Sequence, residues 1–198
     1  MTAPAVSRRS VLLALAALAA ANSTMTAGAA AELPGASIYQ FKPALADQYG
    51  RAFDIGSLRG QPVLLSMFYS SCEMVCPMIF ETIRLTLKAL PPSQAERVKV
   101  LMVSFDPARD TVAVLKKTAD AHGCDARWTL ARGTDADVRK LAALLGVQYR
   151  RLASGEFNHS SSIELLDSDG RIAGRSGTLG AVDPALLKAL QLSLAKAA

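Results

Sequence analysis

The sequence predicts an α/β fold in which a central mixed sheet is flanked by helices. Short apolar runs, as expected for buried strands, alternate with segments in which apolar residues recur at helical spacing. A hairpin turn sequence and a last helix follow this alternating part. Because ligands of such sheets usually bind beyond the carboxyl ends of the parallel strands, we expect the protein's chemistry there.

The centre of the predicted sheet is a β-α-β-α unit. Apolar runs at 62–69 and 98–105 predict two buried strands. A helix is predicted between them from Pro77 to about residue 90, because proline fits a first helical position. Asp110 is predicted to cap the next helix, which covers 111–122.

The remaining elements continue the alternation and then add antiparallel pairing. They are predicted as a short strand at 128–130, a helix at 135–145 closed by Gly146, a strand at 147–152, two strands around the Asp-Ser-Asp-Gly turn at 167–170, and a last helix opened by Pro184.

The first 31 residues have the pattern of an export signal, so 32–198 is predicted to be the mature single domain in the periplasm. Arg8 and Arg9 precede an apolar run at 11–21, as in a twin-arginine signal. An ordinary secretory route is the alternative, because the usual Phe after the pair is a Val here. The run is well short of the ~20 residues that span a bilayer, so a membrane anchor is disfavoured and no permanent span is expected.

Composition and charge exclude few classes. Hydrophobic residues make up 51% and charged residues 20% of the chain, which is typical of a globular protein. The net charge is +5, but no run rich in Lys and Arg with interleaved aromatic residues is present. We therefore expect no nucleic-acid partner.

Cys72 and Cys76 are the strongest candidates for chemistry. They lie where the first core strand gives way to a helix, and the helix dipole there favours thiolate, so at least Cys76 is expected to have a lowered pKa. Their spacing lets both sulfurs face one point, as a redox pair or as two ligands of one metal ion. A plain stabilising disulfide or two buried thiols is the alternative, although a bridge closing so short a loop contributes little.

His159 is a candidate third ligand, although nothing in its local sequence distinguishes a ligand from a surface histidine. Two thiolates and an imidazole would form a soft set that selects Cu(I), or Cu(II) with an added weak ligand. Structural zinc is disfavoured, because it generally requires a fourth protein ligand. A disulfide between Cys72 and Cys76 would exclude the metal, so redox state and metal loading would be coupled.

Other polar residues have simpler interpretations. Asp106 and Arg109 follow the second core strand and either shape a turn or support the site, whereas Asp110 is interpreted as a helix cap only. His122 and Cys124 flank a glycine at a helix end and are interpreted as structural.

Met74 and Met78 lie beside the cysteines. Assistance in copper transfer is one interpretation of them, and packing in the core is the favoured one.

The motifs together resemble those of the SCO/SenC family of copper proteins. The matching segments are Phe-Tyr-Ser-Ser-Cys at 68–72 with Cys-Pro at 76–77, Val-Ser-Phe-Asp-Pro at 103–107 with Arg-Asp-Thr at 109–111, and His-Ser at 159–160. The resemblance covers most of 38–192. It implies a thioredoxin-like domain that binds copper through Cys72, Cys76 and His159. It also implies delivery of copper to the binuclear copper site of cytochrome c oxidase, or reduction of the cysteines of that site.

Two enzymatic alternatives remain besides this metallochaperone hypothesis. One is a periplasmic thiol-disulfide oxidoreductase in which Cys72 and Cys76 cycle and copper binding is incidental. The other is a thiol peroxidase, which is disfavoured because Glu73 and Tyr69 occupy the positions where peroxiredoxins need Thr or Ser. Members of the family are often membrane-tethered, and Cys124 is not part of the family pattern. Because the leader of this chain is predicted to be cleaved, a partner other than the one the family implies stays open. The expected partner is either the copper-bearing subunit of the oxidase or another periplasmic copper or thiol protein.

Overall fold

The computed structural model describes residues 32–197, and within them, besides two short 3-10 helices at Ile38–Gln40 and Ile55–Leu58, nine strands and five α-helices follow one another. In chain order these are β1 Leu45–Asp47, β2 Ala52–Phe53, β3 Val63–Phe68, α1 Val75–Lys88, α2 Pro92–Ala95, β4 Lys99–Ser104, α3 Val112–Ala121, β5 Trp128–Arg132, α4 Asp135–Leu145, β6 Tyr149–Arg151, β7 Phe157–His159, β8 Ile163–Leu166, β9 Ile172–Ser176 and α5 Pro184–Lys196.

Seven strands form one mixed sheet in the order β2-β1-β5-β4-β3-β8-β9. β3, β4 and β5 are parallel, with Val63 opposite Lys99 at the start of the β3–β4 register. β8 pairs antiparallel with β3, and β9 with β8. On the other side of the sheet β1 pairs antiparallel with β5, and β2 with β1. The predicted fold class, a thioredoxin-like α/β fold with a central mixed sheet, is confirmed.

The core lies between this sheet and the helices packed on it. All six residues of β3 are buried, as expected for a parallel strand covered on both faces. From α1 the apolar side chains of Ile79, Phe80 and Ile83 pack into the core at helical spacing. The parallel pairing brings the ends of β3 and β4 to one edge, where Phe68 lies opposite Ser104.

The elements differ from the sequence prediction in three places. α1 begins at Val75, so Pro77 occupies its third position rather than its first. The N-cap of α3 is Thr111, whose hydroxyl accepts a hydrogen bond from the Val114 N–H, and not Asp110. β1, β2, α2 and β7 were not predicted, because elements of two to four residues are too short to show a periodicity.

The export signal predicted at 1–31 lies outside the described residues, and the domain division after it stays a prediction. Within 32–197, no helix has the length and apolar character needed to cross a membrane.

Gly170 in the β8–β9 turn provides a test of the fold. It has φ +78°, and a Cβ there would lie 2.5 Å from the ring of the buried Tyr39. We expect Gly170→Ala to lower the free energy of unfolding by about 3 kcal/mol, through left-handed strain and overpacking together. Urea unfolding followed by the fluorescence of the single Trp128 would measure it.

Two alanine variants separate these causes. Gly123→Ala shares the positive φ but meets no atom within 4 Å, and Gly177→Ala has neither feature. Equal losses in Gly170→Ala and Gly123→Ala would contradict a role for the Tyr39 contact.

Candidate metal centre

The two cysteines lie at the junction of β3 and α1, at the edge where parallel strands end. Cys72 is half-buried in the loop, whereas Cys76 is buried in the first turn of the helix. The backbone N–H of Cys76 donates to the Cys72 Sγ at 3.4 Å. Both are free thiols in this structure. The loop thus holds the Cys72 sulfur near the surface, and the first turn of α1 holds the Cys76 sulfur beneath it.

Asp110 fixes the loop that carries Cys72. Its side chain is 1% exposed and accepts hydrogen bonds from the Ser70 N–H at 3.1 Å and from the hydroxyls of Ser70 and Ser104. The interpretation of Asp110 as only a helix cap was therefore wrong. A buried carboxylate needs donors, and this one takes them from the start of the cysteine loop and from the end of β4.

His159 is brought to the cysteines by a separate two-stranded ribbon, β6–β7, in which it pairs with Tyr149. Its Nδ1 lies 3.2 Å from the carbonyl oxygen of Ser160 and 3.2 Å from the hydroxyl of Ser161. Because a carbonyl oxygen only accepts, this contact favours the proton on Nδ1. The lone pair of Nε2 is then available to a metal, an arrangement common among histidine ligands.

The three predicted residues converge despite their separation in sequence. One ligand atom from each of Cys72, Cys76 and His159 lies within 4.8 Å of the other two. An open cavity of about 450 Å³ is lined by Cys72 and His159 and leads to solvent. The set offers two thiolates and one imidazole to one ion and leaves one side open. That these residues bind a metal stays a prediction.

The two thiols differ in acidity. Burial raises the pKa of the Cys72 thiol, but hydrogen bonds from the N–H groups of Cys76, Met74 and Val75 to its sulfur bring that pKa below its usual value. Burial raises the pKa of Cys76 well above its usual range, and the Cys72 thiolate and the Asp110 carboxylate raise it further. The prediction of a lowered pKa for Cys76 was wrong, because the N–H groups at the helix start point at Cys72.

Tyr69 connects the cysteine loop to the ribbon. Its hydroxyl donates to the Glu156 carboxylate at 2.7 Å, and its ring lies edge-on to the His159 ring at 5.7 Å. Phe105, at the end of β4, contributes a second aromatic contact to His159 at 5.2 Å between ring centroids. The sequence analysis placed Tyr69 in the family-matching segment at 68–72 and as a departure from the peroxiredoxin pattern, without a contact to His159. It missed Glu156, for which the sequence carries no signal.

Arg109 ties the ribbon to the main body. It forms an ion pair with the buried Asp106 and donates from Nη2 to the carbonyl oxygen of Gly155 at 2.8 Å. Its guanidinium also lies over the ring of Phe157 at 5.8 Å. Of the two interpretations made from sequence, the structure favours support of the site, since these contacts hold the turn that precedes His159.

The remaining candidates fall into two groups, one explained by packing and one that is exposed to solvent. His122 stacks on Phe80 at 4.0 Å and Cys124 is half-buried, and neither belongs to a group of possible metal ligands among residues 32–197. Packing accounts for both. It does not account for Met74, which is 75% exposed, or for Met78, which is 40% exposed, so the favoured interpretation of these two methionines was wrong.

Comparisons with known proteins agree with this architecture. The family model described as SCO1/SenC matches residues 34–189. A Stutzerimonas stutzeri protein whose name describes copper binding is 25% identical over 134 residues, which cover 66% of this chain and 65% of that protein. The mitochondrial protein SCO1 of Saccharomyces cerevisiae is 33% identical over 73 residues, 37% of this chain and 25% of that protein.

Among solved structures, that of Bradyrhizobium japonicum ScoI with copper bound is similar with a TM-score of 0.63 and 26% identity. The similarity covers 79% of this chain and 98% of that one.

The acidity of the cysteines can be tested in the reduced, metal-free protein. Since the pKa of Cys72 is lowered, its thiolate forms at lower pH, and its alkylation by iodoacetamide should reach its maximum rate at a lower pH than that of a free cysteine. Cys76 should react slowly across about pH 6 to 9, because it is buried and its pKa is raised. Mass spectrometry of peptides would map each site.

Cys124 is the internal control, because burial raises its pKa to about 12. Faster alkylation of Cys76 than of Cys72 would contradict the assignment. In denaturant the three rates should become equal.

Proposed function

The chain belongs to the SCO1/SenC family, and from this we propose that it is a periplasmic copper-binding protein for the binuclear copper site of cytochrome c oxidase. Cys72, Cys76 and His159 would hold the copper. The protein would either deliver this copper to the oxidase site or keep the cysteine ligands of the oxidase site reduced. The family match, the export pattern at 1–31 and the copper-bound ScoI of Bradyrhizobium japonicum support this proposal.

The observation that carries the proposal is the convergence of three ligand atoms within 4.8 Å. Thiolate and imidazole form a soft set, and three ligands with one open side suit Cu(I) better than structural zinc, which requires a closed set of four. The open side faces the cavity and gives an acceptor protein access to the metal. Such a site can hold copper and also release it.

The surrounding residues prepare the site for a cation. The N–H groups at the start of α1 stabilise negative charge on Cys72, so the pKa of this candidate ligand is lowered and its thiolate forms readily. Cys76 carries a proton in the free protein and must release it when it binds metal, so copper affinity should rise with pH. Ser160 holds the tautomer of His159 that presents Nε2.

An anaerobic titration of the reduced protein with Cu(I) against a competing chelator tests the proposal. We expect one tight equivalent. Cys72→Ser and Cys76→Ser should each abolish tight binding, and His159→Ala should weaken it by about a hundredfold, because each change removes a ligand.

The chain supplies a matched control for each type of ligand. Cys124→Ser and His122→Gln change the same residue types outside the site and should leave the affinity unchanged. Weak binding, or binding that is indifferent to His159, would refute the copper proposal.

A second candidate function is thiol-disulfide exchange. An accessible cysteine of lowered pKa beside a buried one is the arrangement of an attacking and a resolving thiol. In such a cycle the Cys72 thiolate attacks a substrate disulfide, a mixed disulfide forms, and the first substrate sulfur leaves as a thiol. Cys76 then attacks the Cys72 sulfur, so that a Cys72–Cys76 disulfide forms and the second substrate sulfur leaves as a thiol. An external dithiol such as dithiothreitol reduces that disulfide and restarts the cycle. This chemistry gives no role to His159.

His159→Ala therefore separates the two functions. If copper handling is the function, reduction of insulin disulfides under dithiothreitol recycling should be no faster with the wild-type protein than with Cys72→Ser. Rapid turnover that survives His159→Ala but is lost in Cys72→Ser would favour the oxidoreductase instead.

A further inference from the structure

Met74 lies between the two cysteines, and its side chain is 75% exposed. A long apolar side chain in solvent forgoes the stabilisation that burial supplies. Exposed single apolar residues are common, but this one lies on a five-residue segment whose two ends are both candidate ligands. Packing gives no reason for a methionine here.

Helix capping does not explain a methionine at position 74 either. Met74 occupies the N-cap position of α1 and makes no side-chain cap hydrogen bond. The corresponding positions of α3, α4 and α5 are Thr111, Thr134 and Asp183, whose side chains each accept a hydrogen bond from the helix backbone. The Cys76 N–H donates to the Cys72 sulfur instead, and Pro77 has no N–H to donate, so the cap position gives no reason for a methionine.

The position of Met74 relative to the site is specific. It lines the same open cavity as Cys72 and His159. Met78, one turn further along α1, does not belong to that cavity lining and lies against Gly180 instead. Of these two exposed methionines, only Met74 is on the open side of the three candidate ligands.

We propose that the Met74 Sδ is a fourth, weaker ligand for Cu(I) at the open side of the site, an inference that rests on the proposed copper function. A thioether is soft and neutral, so it favours Cu(I) over harder cations. In this step a Cu–Sδ bond forms as a solvent ligand leaves. Copper keeps its oxidation state, and no proton is released.

The first test follows the methionine methyl groups directly. Protein labelled with ¹³C at the methionine methyl carbons is titrated anaerobically with Cu(I), while a chelator competition reports binding at the cysteines. We expect the Met74 methyl resonance to shift in step with the first equivalent and the Met78 resonance to stay in place. A Met74 resonance that does not move while copper binds would overturn the inference.

The second test measures affinity in variants of similar volume. Met74→Leu should weaken Cu(I) binding about tenfold, and Met74→His, which restores a ligand atom, should recover most of the loss. Met78→Leu is the matched control and should bind as the wild type does. Equal affinities for Met74→Leu and Met78→Leu would also overturn the inference.

These outcomes distinguish the inference from the function on which it rests. Binding that depends on Cys72, Cys76 and His159 but not on Met74 refutes the fourth ligand alone. Absence of tight Cu(I) binding by the wild-type protein refutes both.

Discussion

The buried Asp110 carboxylate is the interaction on which the geometry of the site depends. A carboxylate that is 1% exposed is costly unless donors surround it, and here they come from Ser70, at the start of the cysteine loop, and from Ser104, at the end of β4. Because β3 and β4 are parallel neighbours, both serines reach the same edge of the sheet. Satisfying one charge therefore holds Cys72 over the carboxyl ends of the central strands.

The third candidate ligand, His159, depends on a different kind of attachment. His159 belongs to a ribbon outside the main sheet, so no backbone ladder fixes it relative to the cysteines. Aromatic contacts with Tyr69 and Phe105 and the hydrogen bond from Arg109 to Gly155 hold that ribbon instead. A segment that is held by side-chain packing opens locally at a lower free-energy cost than a strand whose backbone is paired in a sheet. The site thus combines two candidate ligands on a rigid edge with one on a less constrained element.

The sequence predicted the elements that show a continuous apolar run, such as β3, or a terminating glycine, such as the helix at 135–145. It also predicted that the cysteines lie between the first core strand and the following helix. The convergence of His159 with them came from the resemblance to the family, because its approach depends on ribbon packing between residues far apart in sequence. The roles of Asp110 and Cys76 were misjudged for a related reason. Spacing gives a position along a helix, but it does not tell which sulfur receives the N–H groups or which serines surround a carboxylate.

The unequal environments of the two sulfurs have a consequence for how a bound ion would be reached. A ligand that approaches from solvent meets Cys72 and His159 first, since both line the open cavity, whereas Cys76 is 3% exposed beneath them. In the free protein, burial also raises the pKa of Cys76 and keeps it protonated, so a site that had released an ion would regain a proton there. Exchange at the exposed side and proton return at the buried side would therefore be coupled through two cysteines four positions apart, one in the loop and one in the first turn of α1. A symmetric pair of exposed thiols would lack this coupling.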